Sequence, residues 1–137
     1  MYQESLPEPE MISTEMIKIA ESKIDNPNIH FSTTDFYCYH ETDFDEIVIF
    51  DAYPHFIEID KFKNSLLSSL KSGGRVYIIH DISRKELNKH HANHAAGVSR
   101  MIKDPVNEAK IYEDKFNIIK AEEGDDYYHL FMEKKYE

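Results

Sequence analysis

Residues 44–50 (FDEIVIF) pass from a polar start into Ile47, Val48, Ile49 and Phe50 without a polar break. A short run of β-branched and aromatic residues, apolar at consecutive positions, predicts a strand buried on both faces, as in parallel sheets covered by helices. Residues 75–80 (RVYIIH) repeat the pattern. Between the two, 57–71 changes period: Ile59, Phe62, Leu66 and Leu70 share one helical face, and Ser72-Gly73-Gly74 stops the helix. Upstream, Ile12, Met16, Ala20 and Ile24 recur every fourth residue. They predict a helix that starts near Ser13 and ends at Asn26-Pro27. Residues 28–33 (NIHFST) read as a short strand, and 34–43 as a loop.

The segment 83–100 is polar with helical propensity. Asp104-Pro105 reads as an N-cap followed by proline, opening a helix to about Asp114. Residues 116–122 (FNIIKAE) and 127–133 (YYHLFME) are two strands joined by Glu123-Gly124-Asp125-Asp126, so short a link that they must form an antiparallel hairpin. Strands alternate with helices and finish in a hairpin. The expectation is a single α/β domain over 12–137, a three-layer α/β/α sandwich with a mainly parallel sheet, preceded by an irregular arm at 1–11.

Composition narrows the function classes. The 137 residues carry a formal net charge of −10, which argues against a nucleic-acid backbone as partner. No apolar run is long enough to cross a membrane. The first ten residues have neither the basic start nor the apolar core of a signal peptide. Cys38 is the only cysteine, so an intrachain disulfide and a cysteine-rich zinc site are excluded, and the cytoplasm is the expected compartment.

The succession of segments resembles a class I S-adenosylmethionine-dependent methyltransferase from that family's second strand onward. STEMIKIAESK is similar to the helix after the second strand, and NIHFSTTD to the third strand with its acidic residue. FDEIVIFDAYPHF is similar to the fourth strand and its turn. KNSLLSSLKSGGRVYIIHDIS resembles the helix, the L-K-P-G-G turn and the fifth strand, with Ser72 where proline is usual. The resemblance implies a Rossmann-like fold and S-adenosylmethionine as cofactor. It also implies Asp35 and Phe36 beside the adenine ring, with Asp51 and Tyr53 on the cofactor side. The chain departs from the family in one respect above all. Its four glycines, Gly73, Gly74, Gly97 and Gly124, form no G-x-G cluster, and Met11 stands where the ribose-binding acid is expected. The family's first strand and glycine-rich loop have no counterpart here, and the expectation is a chain shortened at its start that does not methylate on its own. Without the family's first and second strands, 47–50 would be left as an edge unless 28–33 pairs with it directly. A rebuilt sheet, a homodimer or a second polypeptide is expected to cover it.

Ligands of α/β sheets bind beyond the carboxyl ends of the strands. That places Asp51, Tyr53 and His55 after one strand, and His80 and Ser83 after the next, on a common rim. His55 and His80 are candidate acid–base groups, since imidazole titrates near neutrality. Ser83, Asn88 and His91 are candidate acceptor contacts. His90 and His94 stand four apart, the spacing that puts two imidazoles on one helix face for a metal. Two other readings remain open beside the enzyme: a non-catalytic ligand-binding or dimerising module, and a histidine-based metal protein.

Overall fold

The computed structural model describes residues 14–24, 26–29, 36–38, 43–94 and 100–136, without the side chains of 14–16, 38 and 90–94. Its elements in chain order are α1 (Thr14–Lys23), β1 (Phe44–Phe50), α2 (Ile59–Ser69), β2 (Leu70–His80), α3 (Arg84–His94), α4 (Pro105–Ala109), β3 (Phe116–Glu123) and β4 (Tyr128–Lys134). Short 3-10 turns lie at Phe36–Cys38 and Tyr53–His55.

The uninterrupted apolar run of β1 does form a strand. Ile47 and Ile49 are fully buried on one face, while Phe50 on the other is 49% exposed. β1 runs parallel to β2, with Ile47 opposite Val76, Val48 opposite Tyr77 and Phe50 opposite Ile79. The intervening α2 makes that parallel return possible. Phe62 and Leu66 are its fully buried apolar residues. The helix ends at Ser69, before the predicted residue 71, because Leu70 already has extended backbone (φ −92, ψ 139). The Lys134 ammonium closes that end, donating to the carbonyls of Leu67 (2.7 Å) and Leu70 (2.8 Å). Residues 71–74 then loop out between the pairs Phe44–Leu70 and Glu46–Arg75, with Gly73 at φ +79.

The strand order is β1-β2-β4-β3. β4 runs antiparallel to β2 and also to β3, which confirms the hairpin. The expectation of a mainly parallel sheet is thereby corrected: one pair is parallel, two are antiparallel, and the sheet is mixed. The cause is visible in the alternation. Tyr128, Leu130 and Met132 of β4 are fully buried, so the more apolar strand of the hairpin takes the interior place beside β2. β3, carrying Asn117, Lys120 and Glu122, takes the edge, where polar residues protect an open strand. β3 also holds a bulge between Ile118 and Lys120.

α4 is shorter than predicted. Asp104 caps it, accepting from the Asn107 amide at 3.3 Å, and Pro105 opens it. After Ala109 the chain continues in tight turns, the Tyr112 amide donating to the Ala109 carbonyl at 2.9 Å. These turns bring Tyr112 and Phe116 into the core. α2 packs on β2, and α4 on β3 and β4. The described residues thus establish a helical layer over one face of the sheet, where three layers were expected. The strand expected at 28–33 lies outside the described residues beyond Ile29, and so does its pairing with β1. Asn28 and Ile29 themselves lie in and just after a turn, closed by Asn28 N–H donating to the Asn26 side chain at 2.9 Å.

Gly73 gives a direct check on the α2–β2 junction. A side chain at φ +79 is strained, and an added Cβ would also run into the Tyr136 ring. Gly73→Ala is expected to cost about 1–2 kcal/mol, read as a lowered midpoint in urea denaturation. An unchanged midpoint would contradict the assigned backbone.

Candidate functional site

The parallel register of β1 and β2 brings their carboxyl ends side by side, and the chain reverses sharply after each. Asp51 adopts φ +54, in the left-handed region that Asp tolerates because its side chain bonds locally. Its amide donates to the Ile79 carbonyl at 2.9 Å. Its carboxylate accepts from the Asp81 amide at 3.2 Å and lies 3.4 Å from Nδ1 of His80. The two rim turns are therefore tied to each other through Asp51. Burial, set against the hydrogen bond from the Asp81 amide, raises the Asp51 pKa from its ordinary value. His80 is buried, its ring edge-on to Tyr128 at 6.3 Å, while the Asp51 side chain is 38% exposed. An exposed carboxylate backed by a buried imidazole can accept a donor from a ligand or orient the ring behind it.

Beyond Asp81 the chain enters α3. Ser83 caps it, its hydroxyl accepting from the Glu86 amide at 3.1 Å and its carbonyl from the Leu87 amide at 2.9 Å. Asn88 makes two bonds to Ile102, donating from its amide nitrogen to the carbonyl at 2.9 Å and accepting from the backbone N–H at 3.1 Å. Asn88 thus pins α3 to the strap at 100–103. The side chains of His90, His91 and His94 lie outside the described residues, as does Asp35. Among the described residues no three His, Cys, Asp or Glu side chains are grouped to hold a metal. Phe36 is buried in the core, 5.9 Å from Phe56 and 5.8 Å from Phe62. His55 is half-buried at the end of the turn after β1.

Directly behind that turn lies a polar cluster that the sequence reading did not find. Glu108 is fully buried. One carboxylate oxygen accepts from Nη2 of Arg100 at 2.5 Å and from the Tyr53 hydroxyl. The other accepts from the Lys103 amide at 3.1 Å. The Tyr53 and Tyr112 hydroxyls are 2.7 Å apart. Tyr53 gives its one proton to Glu108, so Tyr112 is the donor in that pair. The Arg100 guanidinium sits 5.0 Å over the Tyr53 ring, and its amide donates to the Pro54 carbonyl at 2.8 Å. Burial raises the pKa of both tyrosines well above the ordinary phenol value, keeping them neutral donors. Burial opposes the Arg100 charge, but bonding to Glu108 outweighs it and the net direction is upward. The signal was present in the sequence. Pro105, Glu108, Ala109 and Tyr112 share one helical face, and Glu108 is the charged residue on an otherwise apolar stripe.

The cluster fixes Tyr53 and Pro54, and through them the position of the rim. Removing Glu108 would strand the Arg100 charge in the interior. Glu108→Ala is expected to cost about 3–5 kcal/mol. Tyr53→Phe, which removes one hydroxyl and leaves the ion pair, should cost about 1–2 kcal/mol. Equal losses in chemical denaturation would contradict the central place given to the carboxylate.

No protein-family model matches the sequence, and no curated protein sequence does. Solved structures do match the fold. A Haloferax volcanii complex between the Trm112 methyltransferase activator and a candidate methyltransferase superposes with a TM-score of 0.74 at 13% identity, over 90% of this chain and 70% of that one. A Methanosarcina mazei S-adenosylmethionine-dependent methyltransferase gives 0.65 at 12% identity, over 92% of this chain and 80% of that one. The N-methyltransferase NodS of Bradyrhizobium japonicum, solved with S-adenosyl-L-homocysteine, gives 0.63 at 11% identity, over 89% and 63%. The chain therefore has the Rossmann-like α/β fold of the S-adenosylmethionine-dependent methyltransferases.

Proposed function

We propose that this methyltransferase-like chain holds S-adenosylmethionine or its demethylated product at the rim formed by Asp51–His55 and His80–Ser83. Methyl transfer then requires a second polypeptide or a second copy beside β1. The observation that supports it is the Asp51–His80 pair at the adjoining carboxyl ends of two parallel strands, in a fold shared with enzymes of that chemistry. In this reading Asp51 accepts from the ligand's hydroxyl or amino donors. Tyr53 and Phe36 support the site from the core side, with Asp35 beside the adenine.

The residues fit part of the cofactor and not all of it. Asp51 supplies a half-exposed acceptor. The close backbone approach that glycine loops allow has no counterpart on the described rim: Gly73 and Gly74 lie at the opposite end of β2, and a Cβ at Gly124 would meet Tyr127. A partner that supplies the missing contacts is the economical solution, and the Haloferax volcanii neighbour is itself found with an activator protein. When bound, the sulfonium supplies an electrophilic methyl group. The chain's share is to orient the acceptor near Ser83, Asn88 and His91, and to take up at His55 or His80 the proton the acceptor loses. The alternative, a ligand-binding or dimerising module without turnover, is favoured by the same lack of a glycine cradle. The metal reading rests on His90 and His94, whose side chains lie outside the described residues.

Calorimetric titration with S-adenosylhomocysteine tests this. Binding is expected weak, with Kd on the order of 100 µM, and reduced about tenfold or more by Asp51→Asn and by His80→Ala. No heat at millimolar ligand, or binding indifferent to both substitutions, would contradict the site.

A further inference from the structure

The strap at 100–103 has neither helix nor strand of its own, yet its backbone is bonded to four separate parts of the fold. The Arg100 amide donates to the Pro54 carbonyl in the turn after β1 at 2.8 Å. Ile102 is bonded through both of its backbone groups to the Asn88 side chain of α3, at 2.9 and 3.1 Å. The Lys103 amide donates to Glu108 of α4 at 3.1 Å, and its carbonyl accepts from the Tyr128 hydroxyl of β4 at 2.9 Å. Ile102 is buried between the exposed Met101 and Lys103, so its backbone N–H and C=O need partners from the protein. A side-chain amide offers one donor side and one acceptor side in a plane, as a peptide unit does. Asn88 therefore meets Ile102 as a neighbouring strand would, and satisfies both groups at once.

We propose that Asn88 is a positioning residue for the rim, a role that rests on the ligand site proposed above. Through the strap it sets where the turn Tyr53–His55 stands against the turn Asp81–Ser83, and with it the width of the site between them. The path is continuous. Ser83 caps α3 at the turn after β2, Asn88 on α3 holds Ile102, and the Arg100 amide of the same strap holds Pro54 at the turn after β1. A second tie joins the two turns directly, from the Asp81 amide to the Asp51 carboxylate at 3.2 Å. The Asp51 side chain is 38% exposed, so water competes for that bond. Ile102 and Pro54 are both buried, so the strap is the firmer of the two ties. Its effect on binding does not depend on Asn88 touching the ligand. A small displacement of Tyr53–His55 relative to Asp81 moves Asp51 and His55 out of joint reach of one bound molecule.

Asn88→Ala in the full chain removes both bonds to Ile102. In NMR spectra recorded without ligand, the backbone amides of Arg100, His55 and Phe56 are expected to shift together with that of Ile102. Glu46 and Arg75, at the far ends of the two strands, should stay in place. Amide shifts report the native state, so a purely stabilising role would lower the denaturation midpoint and leave His55 and Phe56 unmoved. Calorimetric titration with S-adenosylhomocysteine is then expected to give a Kd raised about tenfold over the unsubstituted chain. Asn88→Asp keeps an acceptor for the Ile102 amide but, ionised at neutral pH, has no donor for its carbonyl. It replaces the alanine variant if circular dichroism shows that one unfolded, and the same pattern is expected of it. Shifts that stop short of the turn after β1, or an unchanged Kd, overturn the proposal. If the unsubstituted chain fails to bind, the rim site is what is contradicted, and the ligand-free shifts still decide whether Asn88 positions the turn.

Discussion

A carboxylate with no access to water is costly unless it is paired and hydrogen-bonded on both oxygens, and Glu108 meets that condition through groups brought from three other chain segments. Arg100 and the Lys103 amide reach it from the strap after α3, Tyr53 from the turn after β1, and Tyr112 reaches Tyr53 from the turns after α4. None of these groups can move alone without leaving another unsatisfied. The cluster therefore converts a surface turn, Tyr53–His55, into a fixed part of the core. The rim above it inherits that rigidity, since Pro54 is held through its carbonyl by the Arg100 amide.

What the cluster holds in place, the β1–β2 register makes useful. Phe50 pairs with Ile79, so the next residue of each strand, Asp51 and His80, meet at the rim. The left-handed backbone of Asp51 turns its carboxylate back across β2 rather than away from it. α3 is then anchored by the Ser83 cap and by the paired bonds of Asn88. Residues that the sequence suggested as ligand contacts thus have structural duties as well. A group that caps a helix or pins a strap is held in one orientation, which is what a binding site needs.

The strands at 47–50 and 75–80 were legible because short apolar runs between turn signals favour a strand, but their expected burial on both faces is not met: Ile47 and Ile49 are buried while Phe50 is 49% exposed. The hairpin was legible because its link is too short for any other connection. The place of β4 between β2 and β3 was not, since strand order depends on which of two hairpin strands has the more apolar face, a comparison made only on assembly. The end of α2 was misread by two residues because the Gly73-Gly74 signal marks the loop, while the helix is stopped earlier by Leu70 and capped by the distant Lys134. Asp51 and His80 could be placed on one rim from strand polarity alone. Arg100 and Tyr112 could not, because their partners lie in distant segments of the chain. Glu108 stood in plain view as a charge on an apolar stripe.

Ligand recognition is proposed at the carboxyl ends of β1 and β2, above the Glu108 cluster. The most direct test is a map of backbone amide shifts by NMR as S-adenosylhomocysteine is added to the isotopically labelled chain. The predicted result is a contiguous set of changes at Asp51–His55 and Asp81–Ser83, with Gly73, Gly74 and the opposite ends of the strands unaffected. Changes centred on that opposite end, or scattered without a focus on the rim, would contradict it.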